Sequence, residues 1–214
     1  MKLYDYVASG NCYKVRLLLA LLDVPYERVA VDIFAGDTLT PEFGRLNPVR
    51  ETPVLELDSG ETITQSNAIL GYLAEGTEYL PEDRLDRAQV VQWLSFEQER
   101  VMPSLGGTRF RRATGRATLD PAADTARFAT GVGALRVLDE HLATREFLVG
   151  DRCSIADLSV FGYTHVGDQA GFEIASFPGV VAWLERVRAL PGFVDDRLIY
   201  PENAQPGRGR SIYD

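Results

Sequence analysis

The sequence is short of the features that cross-link, anchor or metallate a protein. Two cysteines, Cys12 and Cys153, occur in 214 residues. That is too few to staple a chain of this size, so a disulfide scaffold is excluded and a reducing, cytoplasmic setting is expected. Long apolar runs are missing too. The longest tight block, Leu17 to Leu22, lies between Arg16 and Asp23, whereas a membrane-spanning helix needs about 20 apolar residues. Asp5 interrupts the stretch where a signal peptide would be apolar, so no export signal is expected. The only histidines, His141 and His165, have no partners at ligand spacing, which argues against a metal site. Positive charge is in deficit: 22 Lys+Arg against 31 Asp+Glu leave a formal charge of −9. Such a surface repels nucleic-acid phosphates and anionic lipid. An anionic ligand would therefore need a local positive exception.

What is present is the composition of a folded, soluble chain, 45% apolar and 25% charged, with length for one or two domains. The first part reads as α/β. Residues 3–7 are strand-like, and Ala8-Ser9-Gly10-Asn11 is a turn opening a helix from Asn11. Along that helix Val15, Leu18, Leu19 and Leu22 form one apolar stripe. Pro25 ends the helix and residues 26–31 read as a second strand, making a βαβ unit with parallel strands. Thr40-Pro41-Glu42 opens a short helix that stops before Asn47-Pro48. Val54–Leu57 and Thr62–Thr64 flank Asp58-Ser59-Gly60-Glu61 as a hairpin, and Ser66 caps the next helix.

Residues 76–87 read as a polar linker, and beyond it the apolar period is helical. Val90, Trp93, Leu94, Glu97 and Val101 share one face of a helix expected to stop at Pro103. Further helices are marked by Phe128, Val132, Leu135 and Leu142, by Leu158 and Phe161, and by Val180, Trp183, Leu184 and Val187. Ser154 and Asp157 form a capping box, with Cys153 and Leu158 as its apolar staple. The Gly/Pro/Arg-rich tail after Pro201 reads as irregular. The class is α/β plus all-α.

Three stretches in this order resemble the cytosolic glutathione transferase family: Ser9-Gly10-Asn11-Cys12-Tyr13-Lys14-Val15-Arg16; Asn47-Pro48-Val49-Arg50-Glu51-Thr52-Pro53-Val54-Leu55 with Gln65-Ser66-Asn67-Ala68-Ile69; and Ser154-Ile155-Ala156-Asp157. The resemblance covers nearly the whole chain except the tail. It implies a thioredoxin-like N-terminal domain over residues 1–76, a linker at 77–87 and a helical domain over 88–214 that supplies the second-substrate pocket. A homodimer is implied as well. Glutathione enters as a substrate, and no cofactor or metal is implied.

The implied activity is activation of the glutathione thiol for attack on a small hydrophobic electrophile. Glutathione-dependent disulfide reduction or isomerisation, and a non-catalytic binding module, are the alternatives. A free thiol is only a few per cent ionised at neutral pH, so a hydroxyl donor and the positive end of a helix would favour the thiolate. By position Ser9 resembles the catalytic serine of the zeta and theta classes. Asn11 resembles the thiolate-facing asparagine of nu-like bacterial members, and backbone N–H groups could also act alone. Cys12 is expected to be buried.

The resemblance gives Thr52, through a cis Thr52–Pro53 bond, the cysteinyl backbone of glutathione. It gives Gln65 and Ser66 the γ-glutamyl end. Glu51 departs from the family pattern, because an acid there repels the glycyl carboxylate. Arg50, Lys14 and Arg16 are the nearby cations, Arg50 the foremost and Arg16 a candidate for a structural role. Met102, Leu105 and Phe110 are expected in the second-substrate pocket. The run Arg109-Phe110-Arg111-Arg112 reads either as a solvated face or as the pocket border.

Overall fold

In the computed structural model, residues 1–213 are described. Strand β1 (Lys2–Asp5) alternates, turning Leu3 and Asp5 inward. It lies inside a four-stranded sheet of order β2-β1-β3-β4. The βαβ unit is present: β2 (Glu27–Ala30) pairs with β1 in parallel, Tyr4 opposite Val29. β3 (Val54–Glu56) and β4 (Thr62–Thr64) form the expected antiparallel hairpin, and β3 also runs antiparallel to β1.

Helix α1 (Gly10–Leu21) starts one residue before the expected position, because Ser9 is its N-cap and accepts the Cys12 N–H. Val15, Leu18 and Leu19 are fully buried, as the stripe requires. α2 (Pro41–Leu46) is capped by Thr40 with Pro41 in its first turn. α3 (Ser66–Ala74) differs from expectation. Its N-cap is Gln65 in a positive-φ conformation, φ 70°, and no side chain caps it; Ser66 is already the first helical residue.

The helical part begins with α4 (Arg84–Phe96), capped by Asp83. The helix does not end at Pro103. It continues through wide π-type turns over Glu97–Gly106 into α5 (Gly107–Ala113). Proline is excluded from an α-helix interior because its ring meets the carbonyl four residues back and its missing N–H breaks the ladder. In the wider turn the ladder runs to the fifth residue back, which displaces that carbonyl.

α6 (Pro121–Leu142) starts at a cap formed by Asp120. α7 (Ile155–Thr164) is buried along its whole length and carries the expected capping box. The Asp157 carboxylate accepts from Leu148 N, Ser154 N and Trp183 Nε1, each at 2.9 Å, so one side chain ties α7 to the preceding loop and to α8 (Pro178–Arg188).

α1 and α7 cross in near contact. A Cβ on Gly162 would stand 2.7 Å from Lys14 Cγ, and one on Gly10 would stand 2.7 Å from the Gly162 carbonyl. The tail is irregular, as expected, yet it is packed: Arg210 N donates to Phe34 O at 2.8 Å and Asn203 Nδ2 to Asp32 Oδ2 at 2.8 Å. Among the described residues no helix is long and apolar enough to cross a membrane.

Candidate functional site

A cavity of about 270 Å³ opens between the sheet half and the helical half. Its sheet-side wall contains Ser9, Asn11, Arg50, Glu51, Thr52 and Gln65, six of the sequence-selected residues. The local sequence explains the convergence. Ser9 and Asn11 sit in the cap and first turn of α1. Asn47, almost fully buried, closes the loop before β3 by donating to Glu51 O at 2.8 Å and accepting Val49 N at 3.0 Å. That closure presents Thr52, whose bond to Pro53 is cis.

Three selected residues lie off the cavity wall. Pro53 is buried behind Thr52. Ser66 is buried and its hydroxyl donates to Asn11 Oδ1 at 3.2 Å. Leu105 is in the helical core, its Cδ1 3.1 Å from where a Cβ on Gly131 would lie. The wide turns account for Leu105: they bring Gly106, Gly107 and Phe110 to the Met102 side and turn Leu105 away.

The cations divide by role. Arg50 lines the cavity with its guanidinium already engaged, Nη1 donating to Thr38 O at 2.8 Å and Thr40 O at 2.9 Å. Arg16 is structural, bridging Asp5 and Asp196 and donating to Val7 O at 3.1 Å. Lys14 is fully buried and paired with the equally buried Glu97 at 2.9 Å. Burial pulls its ammonium below the usual range, against the attraction of Glu97. Arg109, first of the run that reads either as a solvated face or as the pocket border, is buried. It donates to Ala8 O just before Ser9, and also to Leu198 O of the tail.

Sequence reasoning missed the aromatic wall. Tyr6, Tyr163, Tyr200 and Tyr213 line the cavity with Phe110. Tyr6 stacks with Tyr200, and Phe110 packs against Tyr200 and Tyr213. Tyr163 fits because Gly10 and Gly106 flank it; a Cβ on either would come within 2.7 Å of its ring. Burial pushes all four hydroxyls up, Tyr213 to about 12. They are therefore neutral hydrogen-bond donors at physiological pH.

Cys12 is fully buried as expected, its thiol pushed up to about 12 by burial, and Cys153 is raised for the same reason. His141 and His165 face backbone carbonyls of Leu148, Phe161 and Asp196, and no metal-type cluster occurs among the described residues.

A thioredoxin-like sheet, a capped turn at Ser9, a cis-proline loop and an all-helical second half make up the two-part architecture that the resemblance implies. Family models for the glutathione S-transferase N-terminal domain and C-terminal domain match residues 1–75 and 121–191, and the chain belongs to the glutathione S-transferase family. It is similar to the solved structure of a possible glutathione S-transferase from Rhodopseudomonas palustris, with 43% identity, 93% of this chain and 98% of that one covered, and a TM-score of 0.89. It is 33% identical to a maleylacetoacetate isomerase from Rhizobium meliloti, over 95% of this chain and 97% of that protein. A glutathione transferase family member from Pseudomonas fluorescens, solved with two glutathione bound, is 29% identical. There 89% of each chain is covered and the TM-score is 0.77.

Proposed function

We propose that this protein is a glutathione transferase that ionises the glutathione thiol beside Ser9 and Asn11 and directs it at an uncharged, hydrophobic electrophile. One observation carries the reading: two small polar side chains at the positive end of α1 share a single cavity with a wall of protonated tyrosines. In this reading residues 1–76 hold glutathione, 77–87 link, and 88–214 supply the second-substrate wall. The γ-glutamyl carboxylate takes the first-turn N–H groups of α3, which no side chain caps, beside Gln65 and Ser66. The Thr52 backbone pairs with the cysteinyl amide. Arg50 supplies the positive field for the glycyl carboxylate against Glu51.

Catalysis follows from positioning and charge. Ser9 Oγ accepts the Cys12 N–H at 3.3 Å, which leaves its own proton to donate to the sulfur. A free thiol near pKa 8.5 ionises more readily beside that donor and the helix end. The electrophile lies against Met102, Phe110 and the tyrosines, whose hydroxyls donate to an oxygen or nitrogen that gains charge as the sulfur attacks. Arg50 is the one cation among the described lining residues and in this reading serves the glycyl carboxylate, so a dicarboxylate second substrate would meet Glu51 with no cation of its own, which speaks against an anionic second substrate.

A second reading is glutathione-dependent disulfide reduction, favoured by the P. fluorescens relative that holds two glutathione molecules. In it both reacting thiols would be glutathione's, because Cys12 and Cys153 are buried. We also read the chain as a cytoplasmic homodimer, with the exposed Tyr72 of α3 and Val91 of α4 on the covered face; sedimentation tests this.

The deciding experiment is a pH titration of thiolate absorbance in the glutathione complex, followed by a panel of neutral aryl halides, epoxides and disulfides. The expected result is an apparent thiol pKa well below the free value and turnover of a neutral electrophile. Binding without a shift, or no binding, overturns the transferase reading. Turnover of disulfides alone transfers the assignment to the second reading.

A further inference from the structure

Arg109 is a buried cation without a counter-charge. It is 4% exposed, and its guanidinium reaches neutral acceptors: Nε donates to Gln169 Oε1 at 2.7 Å, Nη1 to Ala8 O at 3.0 Å and Nη2 to Leu198 O. Among the described residues no carboxylate pairs with it. The cations around it differ. Lys14 is paired with Glu97, Arg16 with Asp5 and Asp196, and Arg112, on the next turn of α5, with Asp124 at 3.0 Å. Asp196 borders the same small recess behind the Ser9 turn as Arg109, but Arg16 takes it up. His165 borders that recess too, and burial keeps its imidazole neutral.

Buried charges are ordinarily paired, because an ion taken out of water is costly without a counter-ion. A lysine could shed its proton in such a place, whereas a guanidinium stays charged. The charge of Arg109 therefore persists, and its position shows where it acts. Its acceptor Ala8 O directly precedes Ser9, the cap of α1. On its other side the Tyr200 ring, centred 5.1 Å from the guanidinium carbon, lines the cavity. The field reaches the wall: burial pushes the Tyr6 and Tyr200 hydroxyls up, and the Arg109 charge pulls against it at both. Arg50, the cation on the wall itself, serves the glycyl carboxylate in the reading above. That leaves the sulfur beside Ser9 as the negative charge for Arg109.

We propose that Arg109 acts on the thiol from behind the cavity wall: its unpaired charge, fixed against the Ser9 turn, is balanced by the glutathione thiolate and so stabilises it. The inference rests on the glutathione-activating reading above. Arg109 touches no substrate; it is a positioning residue that acts through its charge. At a separation of about 10 Å and an effective dielectric of about 20, one charge moves a thiol by about one pKa unit.

The test is Gln169→Glu, which replaces the neutral acceptor of Nε with a carboxylate at a half-buried position and leaves the guanidinium in place. It reads the thiol pKa of bound glutathione and the affinity for S-methylglutathione, which has no ionisable thiol. The expected result is a rise of about half a pKa unit, a roughly threefold loss of thiolate on the acid side, with S-methylglutathione affinity within about threefold of wild type. A role confined to packing leaves that pKa where it was. Arg109→Gln removes the charge itself and is expected to raise the thiol pKa by about one unit.

An unchanged thiol pKa in Gln169→Glu protein that binds S-methylglutathione overturns the proposal, whether or not Arg109→Gln folds. The two failures are distinguishable. Wild-type protein that binds no glutathione, or binds it without a shift, fails the functional reading and takes this proposal with it. A wild-type shift that Gln169→Glu leaves untouched overturns the proposal alone.

Discussion

Ser9 is both a helix cap and a hydroxyl on the cavity wall, and substitution separates the two roles. Ser9→Ala is expected to raise the thiol pKa and slow conjugation at pH 7 by about tenfold, with glutathione affinity within about threefold. Steady-state kinetics with the thiolate titration check this, and unchanged turnover removes Ser9 from its role. Glu51→Gln is expected to tighten glutathione about threefold at low salt, since a like charge leaves the cavity. The gain should shrink as ionic strength rises, which calorimetry at two salt concentrations measures. Residues in short local motifs were legible beforehand. Ser9, Asn11, Thr52 and Gln65 were singled out through short stretches that resemble family motifs, and the structure places all four on one cavity wall. Tyr6, Tyr163, Tyr200 and Tyr213 were not, because tertiary packing brings them in from four separate segments. The Lys14–Glu97 pair left a signal that could have been read. Lys14 falls within the buried run of α1, and Glu97 occupies a place on the apolar stripe of its helix.

At the scale of elements, the crossing of α1 and α7 sets the geometry around the cap at Ser9. Gly162→Ala puts a methyl group 2.7 Å from Lys14 Cγ and is expected to cost about 1–3 kcal/mol, read as a lower urea midpoint; an unchanged midpoint would show that the helices separate freely. The βαβ unit, the hairpin and the helices were legible from their apolar periods and turn residues. The start of α3 was misread because a serine followed by an apolar run satisfies the capping rule equally well one residue later. The run-on through Pro103 was not legible, since the proline rule assumes α geometry and nothing local announces a wider turn.

For the whole molecule, the tail is part of the site. Tyr200, Ile212 and Tyr213 close one side of the cavity, although no periodicity in residues 201–213 marks them. Removing residues 199–214 is expected to raise KM for the electrophile at least fivefold and leave KM for glutathione nearly unchanged. An equal rise in both would mean that the tail supports the fold and not the pocket. Stability should depend on pH in a defined direction. Burial, the main cause, holds His141 and His165 below the usual imidazole range. They are neutral when folded and take up protons in the unfolded chain below about pH 6.5. The unfolded state then binds more protons, so stability falls as pH drops from about 7 to 6. Asp157 has the opposite sign. Burial pushes its carboxyl up to about 6, so its contribution is present at low pH and lost as pH rises through that value. The urea midpoint should therefore fall and then flatten below pH 6. A protein working on glutathione meets glutathione disulfide whenever its surroundings turn oxidising, and ionised surface cysteines are then captured as mixed disulfides. Here both sulfurs are buried and that burial holds both thiols up, so under the proposed function the chain exposes no thiol that glutathione disulfide could capture.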